Sequence, residues 1–343
     1  HKQNRTMTTN AFSPYPVNFG LIGAGGIAQA YADAFIQSKR ADLIAVADVS
    51  EKNANTLAEK CGAKAYKTHT EMLDAHPDLD AVLICTPPNT HADIACEAAS
   101  RGINVLCEKP LSIKSSEARR MATAAEKHDV ILTMASKFRY VQDVEIAKNF
   151  VDSGKIGDVI LFENAFTGFV DMSTRWNSVP AISGGGVLID NGTHSLDLTR
   201  YFLGPIADLE VIEGLRTQNL PVEETVNICA RSESGAIAQI DLSWTINKSL
   251  PHYIRIFGTK GEIFLGWQES KIKTDGDWEV FGTGYDKTDA FLNQLNNFAA
   301  AIRDEEQLVI TAEDGIASVE AIEAAYQSLK KENFEPIIQA KFA

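Results

Sequence analysis

Long apolar runs are absent from this chain: none approaches the roughly 18 residues that a membrane-spanning helix needs, so a helical membrane span is excluded. Blocks of Lys and Arg are absent too. Asp and Glu number 46 against 32 Lys and Arg, a formal net charge of −14, and long-range electrostatics then argue against nucleic acid or anionic lipid as the main partner. Cysteine is scarce. Cys61, Cys85, Cys96, Cys107 and Cys229 are odd in number and lack the C-x-x-C spacing of zinc or redox sites. They are expected to be reduced core thiols of a cytoplasmic protein. His69, His76 and His91 do not cluster as ligands would, and no metal is expected. Residues 1–16 are polar, without the apolar core of a secretory leader, and read as a tail or an expression remnant ahead of the fold.

What is present is ordinary: 45% hydrophobic and 23% charged residues, the mix of a folded globular protein. A length of 343 residues is about twice that of a usual single domain, so two domains are expected. From residue 17 to about 137, apolar runs at 19–22, 43–47, 81–85, 105–107 and 131–134 alternate with amphipathic stretches, notably 27–38, 91–101 and 115–128. Runs that continuous do not suit a sheet with one wet face. Their order implies a doubly wound parallel sheet of Rossmann type, covered by helices on both faces. After residue 137 a helical segment near 144–152 gives way to strand-like runs at 159–166, 209–215, 226–231, 236–244, 253–257 and 262–265. Strands with few helices between them imply an α+β second domain built on a large, open, mostly antiparallel sheet. Gly258-Thr259-Lys260-Gly261 reads as a hairpin turn. Helices near 291–303 and 312–332 are expected to cover that sheet or pack back on the first domain. The expected division is therefore 17–137 and 138–336.

The segment Gly23-Ala24-Gly25-Gly26-Ile27-Ala28 follows the first apolar run and opens a helix, which is the context the G-x-G-x-x-G/A dinucleotide motif requires. Gly23 permits the tight turn, Gly25 lets backbone approach a pyrophosphate, and Ala28 allows close helix–strand contact. Gly26 and Ile27 begin the helix, whose N-terminus favours an anion. Asp48 stands 20 residues beyond Ala28 at the end of the next strand, where a carboxylate can bond a ribose 2′-hydroxyl and repel a 2′-phosphate. NAD is favoured. Lys52, close by, keeps NADP open.

Ligands of open parallel sheets gather beyond the carboxyl ends of the strands. Two segments should reach that crevice: Cys85-Thr86-Pro87-Pro88-Asn89-Thr90-His91, with Thr86, Pro87, Asn89 and His91 as cofactor-facing candidates, and Cys107-Glu108-Lys109-Pro110. In the second domain, Gly184-Gly185-Gly186 leads to Asp190, Asn191, Thr193 and His194. In a helix Asp190 and His194 share a face. Taken in order, the Gly-x-Gly-x-x-Ala, Thr-Pro-Pro-x-x-His, Glu-Lys-Pro, Gly-Gly-Gly and Asp-x-x-x-His elements resemble the Gfo/Idh/MocA oxidoreductases, named for glucose-fructose oxidoreductase and inositol dehydrogenase. The resemblance spans roughly 17–336. It implies a Rossmann domain joined to an open-sheet domain, acting on sugars and cyclitols. It further implies that Lys109 is the active-site lysine, that Glu108 lies beside the nicotinamide ribose, that Asp190 and His194 match the catalytic pair, and that the Lys109–Pro110 peptide is cis.

Moving a hydride off a carbinol carbon requires that the hydroxyl proton also leave, so a positioned base is needed. His194, with an ordinary pKa near 6.5, suits that role, and Asp190 would orient its ring or bind a hydroxyl. Lys109 would stabilise alkoxide character or relay the proton itself. Arg139 and Tyr140, and Arg175 and Trp176, are candidates to line a sugar pocket, with Asn191 and Thr193 as hydroxyl-binding positions. The absence of a basic cluster favours a neutral substrate. The expected activity is NAD-dependent oxidation of a secondary alcohol of a sugar, cyclitol or sugar derivative, in a homodimer or homotetramer. The alternatives are a non-catalytic dinucleotide-binding regulator and a self-recycling oxidoreductase that retains its cofactor.

Overall fold

The computed structural model describes residues 15–331. Residues 1–14 and 332–343 lie outside that range, and with them most of the expected N-terminal tail and the end of the second expected domain. Two sheets organise the rest. The first contains β1 (Val17–Ile22), β2 (Ala41–Ala47), β3 (Lys64–Tyr66), β4 (Ala81–Ile84), β5 (Asn104–Glu108) and β6 (Leu132–Ala135), in the order β3-β2-β1-β4-β5-β6. All five pairings are parallel. Helices α1 (Gly26–Gln37), α2 (Glu51–Cys61), α3 (His69–Ala75), α4 (His91–Ser100) and α5 (Ser115–Lys127) connect the strands. Every residue of β4 is buried, as a strand covered on both faces must be. The strand order reverses between β1 and β4, so the crevice opens at the end of those two strands.

The second sheet holds β7 (Val159–Thr167), β8 (Ile206–Glu213), β9 (Thr225–Ser232), β10 (Ile237–Ser243), β11 (His252–Gly258), β12 (Glu262–Gly266), β13 (Ser270–Lys273) and β14 (Glu279–Gly282). Its order is β14-β13-β12-β11-β7-β10-β9-β8. Six of its pairings are antiparallel and one, β10 with β7, is parallel. Burial alternates residue by residue along β9, the signature of a sheet with one packed face. Helices α6 (Gln142–Asp152) and α8 (Val187–Leu203) lie against the packed face, with the single-turn α7 (Pro180–Ser183) between them in sequence. Gly258 N–H donates to the Gly261 carbonyl at 2.8 Å and closes the expected hairpin.

The last two helices divide their work. Helix α9 (Lys287–Ile302) packs back on the first sheet's layer: Phe291 stacks on Tyr31 with ring centres 3.9 Å apart, and Phe298 meets Phe19 at 6.0 Å. Helix α10 (Ala312–Leu329) touches α5, α8 and β8 and so bridges both layers. Strands β3, β13 and β14 have no counterpart among the expected runs, because three or four residues with charged members carry little apolar signal. The cysteines depart from a uniformly buried set. Cys85 and Cys107 are buried, Cys61 and Cys96 are half-buried, and Cys229 is exposed on β9; all five are free thiols. Among the described residues, no helix is long and apolar enough to cross a membrane.

Candidate active site

The glycine loop adopts the turn its sequence demands. Gly23 has φ +91°, and a Cβ there would lie 2.7 Å from the Thr86 backbone nitrogen, so neither conformation nor space admits a side chain. At Gly25 and Gly26 an added Cβ meets no protein atom within 4 Å; what these glycines leave clear is the space at the N-terminus of α1, which has no side-chain cap. Asp48 ties down the loop. One carboxylate oxygen accepts from Ala24 N–H at 2.6 Å and the other from Ser50 N–H at 2.7 Å. A cleft of about 820 Å³ beside it is lined by Gly23, Gly25, Asp48, Thr86, Pro87 and Asn89, among others. Lys52 does not line that cleft, whereas Lys67, which the sequence did not single out, does.

The strand ends deliver the next groups. The Lys109–Pro110 peptide is cis, as the resemblance implied. Lys109 Nζ donates to Asp190 Oδ1 at 2.6 Å and to the Asp190 carbonyl at 2.9 Å. Asp190 therefore pairs with the lysine rather than with His194, one turn along the same helix: a cation just beyond β5 outcompetes a neutral ring for the carboxylate. Glu108 is buried, accepting from the Tyr31 hydroxyl at 2.7 Å and from Lys109 N–H at 3.1 Å. Gln294 on α9 donates to the Tyr31 hydroxyl at 2.7 Å. Burial raises the Glu108 pKa, against the Tyr31 hydrogen bond and the nearby Lys109 and Lys137 charges. His91 is a correction. Its ring nitrogens lie 3.0 Å from the Pro110 carbonyl and 2.8 Å from the Thr86 carbonyl, so this fully buried ring clamps the two strand-end loops together instead of facing a cofactor.

Helix α8 starts where Gly186 must pass the Glu223 backbone. Glu223 Oε1 accepts from Gly186 N–H, Leu188 N–H and the Tyr326 hydroxyl at 2.9, 3.1 and 2.7 Å, satisfying the helix's first amides from outside. His194 is buried, with its ring edge-on to Phe138 at 5.1 Å. Its Nδ1 is buried without a hydrogen-bond partner among the described residues. Burial, then the Lys109 and Lys137 charges, hold its pKa well below the ordinary imidazole value. The ring is thus neutral at physiological pH, with one nitrogen able to accept a proton. Thr193 faces the interior and donates to the Ile189 carbonyl at 2.6 Å, which removes it as a hydroxyl-binding position. Asn191 stays half-buried, its amide 3.4 Å from the Phe166 carbonyl.

Arg139 and Tyr140 do not line the site. Arg139 is a buried ion-pair partner, donating from Nη2 and Nε to Asp197 at 2.6 and 3.0 Å, and Tyr140 donates to Asn297 at 3.3 Å. The residue two places earlier, Lys137, opens the 3₁₀ turn after β6; its ammonium lies over the Phe138 and Phe291 rings and feels the charges of Glu108, Lys109 and Asp190. Its position just beyond a strand end was the available signal. A second cleft, about 580 Å³, is lined by Gly25, Gly26, Ile27, Glu108, Lys109 and Asp190, with Arg175 and Trp176 on its outer wall. Trp176 borders both clefts. Ala28 is buried against the sheet, as expected of the motif's last small residue.

Residues 17–136 match the family model described as oxidoreductase family, NAD-binding Rossmann fold, and residues 144–264 match the GFO/IDH/MocA C-terminal domain. The myo-inositol 2-dehydrogenase of Thermotoga maritima is 28% identical over 332 residues, covering 92% of this chain and 97% of that protein. The inositol 2-dehydrogenase of Rhizobium meliloti is 28% identical over 332 residues, covering 91% and 97%. Among solved structures, levoglucosan dehydrogenase in complex with NADH and levoglucosan superposes with a TM-score of 0.85 at 22% identity, covering 93% and 98% of the two chains.

Proposed function

Because the chain belongs to the Gfo/Idh/MocA family of oxidoreductases, we propose that it is an NAD-dependent dehydrogenase acting on a secondary alcohol, or the corresponding ketone, of a sugar, cyclitol or sugar derivative. The observation that carries this reading is one cleft shared by the open glycine backbone of Gly25 and Gly26, the buried Glu108 and the Lys109–Asp190 pair. The residues present fit the dinucleotide. The clear space at Gly25 and Gly26 and the uncapped start of α1 suit a pyrophosphate. Asp48 retains lone pairs for a ribose hydroxyl, Thr86, Pro87 and Asn89 wall the same cleft, and Glu108 lines the adjoining cleft, where it would meet the nicotinamide end. The nicotinamide supplies the hydride acceptor. The carboxylate of Asp48 disfavours a 2′-phosphate, and Lys67 is the cation available to an NADP-bound form.

The side chains divide the proton chemistry. Lys109 gives two donor contacts to Asp190 and keeps one N–H for the reacting oxygen, where it stabilises developing alkoxide charge. His194, held neutral by burial, is the proton acceptor. That assignment has a pH signature. A base must be deprotonated to act, and a depressed pKa moves its titration to lower pH, so the acid limb of kcat/KM for alcohol oxidation falls below pH 6.5. A limb at or above that value removes His194 from the role. Asp48→Ala is expected to weaken NAD binding by about tenfold or more and to narrow the preference over NADP. Fluorescence titration with both cofactors measures it.

We place the division near residue 137, with the first part binding NAD and the second binding substrate. The free thiols suit a reducing compartment, the cytoplasm. We assign a homodimer or homotetramer to the second sheet's outer face, where Phe264 is grouped with Phe257, His252 and Trp278 at ring distances of 5.7, 5.1 and 4.5 Å. A monomeric mass by light scattering overturns it. The activity itself is tested by following nicotinamide absorbance across sugars, inositols and sugar acids with NAD and NADP. Turnover on one alcohol class is the expected result; tight NAD binding without turnover on any of them counts against a dehydrogenase.

A further inference from the structure

Lys137 is half-buried. Among the described residues its ammonium, unlike that of Lys109, has no hydrogen-bond or ion-pair acceptor. Its ammonium instead sits over three rings, 5.4 Å from the centre of Phe138, 5.8 Å from Tyr285 and 5.6 Å from Phe291. Those rings are themselves fixed to the site. Phe291 stacks on Tyr31, whose hydroxyl holds Glu108, and Phe138 stands edge-on to His194. The cation is thus held between Glu108 and the proposed base.

The charged and titratable groups that face this region are Glu108 at the end of β5 and Lys109 just beyond it, Asp190 and His194 from α8, Lys287 from α9, and Tyr285. Both carboxylates are engaged elsewhere, Glu108 by Tyr31 and the Lys109 backbone, Asp190 by the Lys109 ammonium. His194 is neutral, and burial raises the Tyr285 hydroxyl well out of the physiological range. Three ammonium groups therefore face two occupied carboxylates. Aromatic faces attract a cation but do not replace the hydrogen bonds it loses on burial. An acceptor with a full negative charge does so far better than a neutral hydroxyl.

We propose that Lys137 recognises a carboxylate on the substrate, so that the alcohol oxidised here belongs to a sugar acid or another polyhydroxy acid. Resting on the dehydrogenase reading, this narrows its substrate class and reverses the neutral-substrate expectation drawn from the absence of a basic cluster in the sequence. Those lysines are far apart along the chain, at 109, 137 and 287, and only the fold assembles them. Burial lowers the Lys137 pKa to about 8, which leaves it cationic at neutral pH.

The test is calorimetric titration of the NADH-loaded full chain at pH 7 with D-gluconate and D-galacturonate, each against its neutral counterpart, D-glucitol and D-galactose. The wild type is expected to bind at least one acid about tenfold more tightly than its neutral partner. Lys137→Met should bring the pair within about twofold, Lys137→Arg should keep most of the preference, and NADH affinity should stay within about twofold throughout. Should Lys137→Met not melt cooperatively, Lys137→Gln supplies the same comparison. Equal binding of acid and neutral sugar by the wild type, or a preference that survives Lys137→Met, overturns the assignment. Turnover confined to neutral sugars removes carboxylate recognition and leaves the dehydrogenase; preferred binding of an acid without NADH formation in the oxidised complex does the reverse.

Discussion

Lys109→Ala lowers turnover by at least about two orders of magnitude while NAD affinity stays nearly unchanged, because the ammonium acts on charge that develops only in the transition state. The geometry sharpens this expectation. Lys109 Nζ is held against Asp190 by contacts of 2.6 and 2.9 Å, so its remaining N–H has a defined direction before any substrate arrives. Removing the ammonium deletes the donor and leaves the Asp190 carboxylate, whose side chain is 23% exposed, to repel a forming alkoxide. Lys109→Arg restores charge but not the compact point donor, and should recover only part of the loss. Steady-state rates paired with NAD titrations check the prediction. A parallel loss of cofactor binding would falsify the assignment of Lys109 to the transition state.

The largest effect on stability is expected at Arg139 and Asp197, which are 4% and 1% exposed in their side chains. Two charge-assisted hydrogen bonds join them, and the Ser136 hydroxyl adds a third at 2.8 Å. Arg139→Met strands a carboxylate in the interior and should cost about 3 to 5 kcal/mol, the usual penalty for breaking a buried pair from one side. Replacing both, Arg139→Met with Asp197→Leu, should cost much less than the two single changes added together. Denaturant midpoints of the two single variants and the double variant give the coupling directly. Additive losses would mean that the pair does not act as a unit.

The same pair shows where reading the sequence alone stops. Arg139 and Tyr140 were candidates because they follow a strand end. Which side chains turn inward there depends on the 3₁₀ turn that starts at Lys137, and no period of two or 3.6 describes a four-residue turn. Arg139 turns inward to Asp197, a residue of α8 distant in sequence, and Lys137 turns to the rings of Phe138 and Phe291. Asp190 and His194 were legible as neighbours on one helical face. Their partners were not, since Lys109 arrives from another sheet. The glycine loop was the most legible part because its constraint is local: a left-handed φ at Gly23 and open space at Gly25 are properties of adjacent residues. His91 misled for the opposite reason. Its place at a strand end is what the motif marks, and only tertiary packing reveals that both ring nitrogens meet backbone carbonyls.

Helix α9 has a consequence for how the chain is made. Phe291, Leu295, Phe298 and Ala299 belong to the same buried cluster as Phe19, Leu21, Tyr31 and Phe35, so one face of the N-terminal layer is sealed by residues that leave the ribosome well over a hundred positions after β6. At about 5 to 20 residues per second the nascent N-terminal layer waits on the order of ten seconds or more with that apolar face open. A fragment cut after β6 would keep its glycine loop and lose its lid. It should therefore emerge as a sticky, chaperone-dependent species, and the dinucleotide-binding half of this protein is a unit of architecture without being a unit of folding.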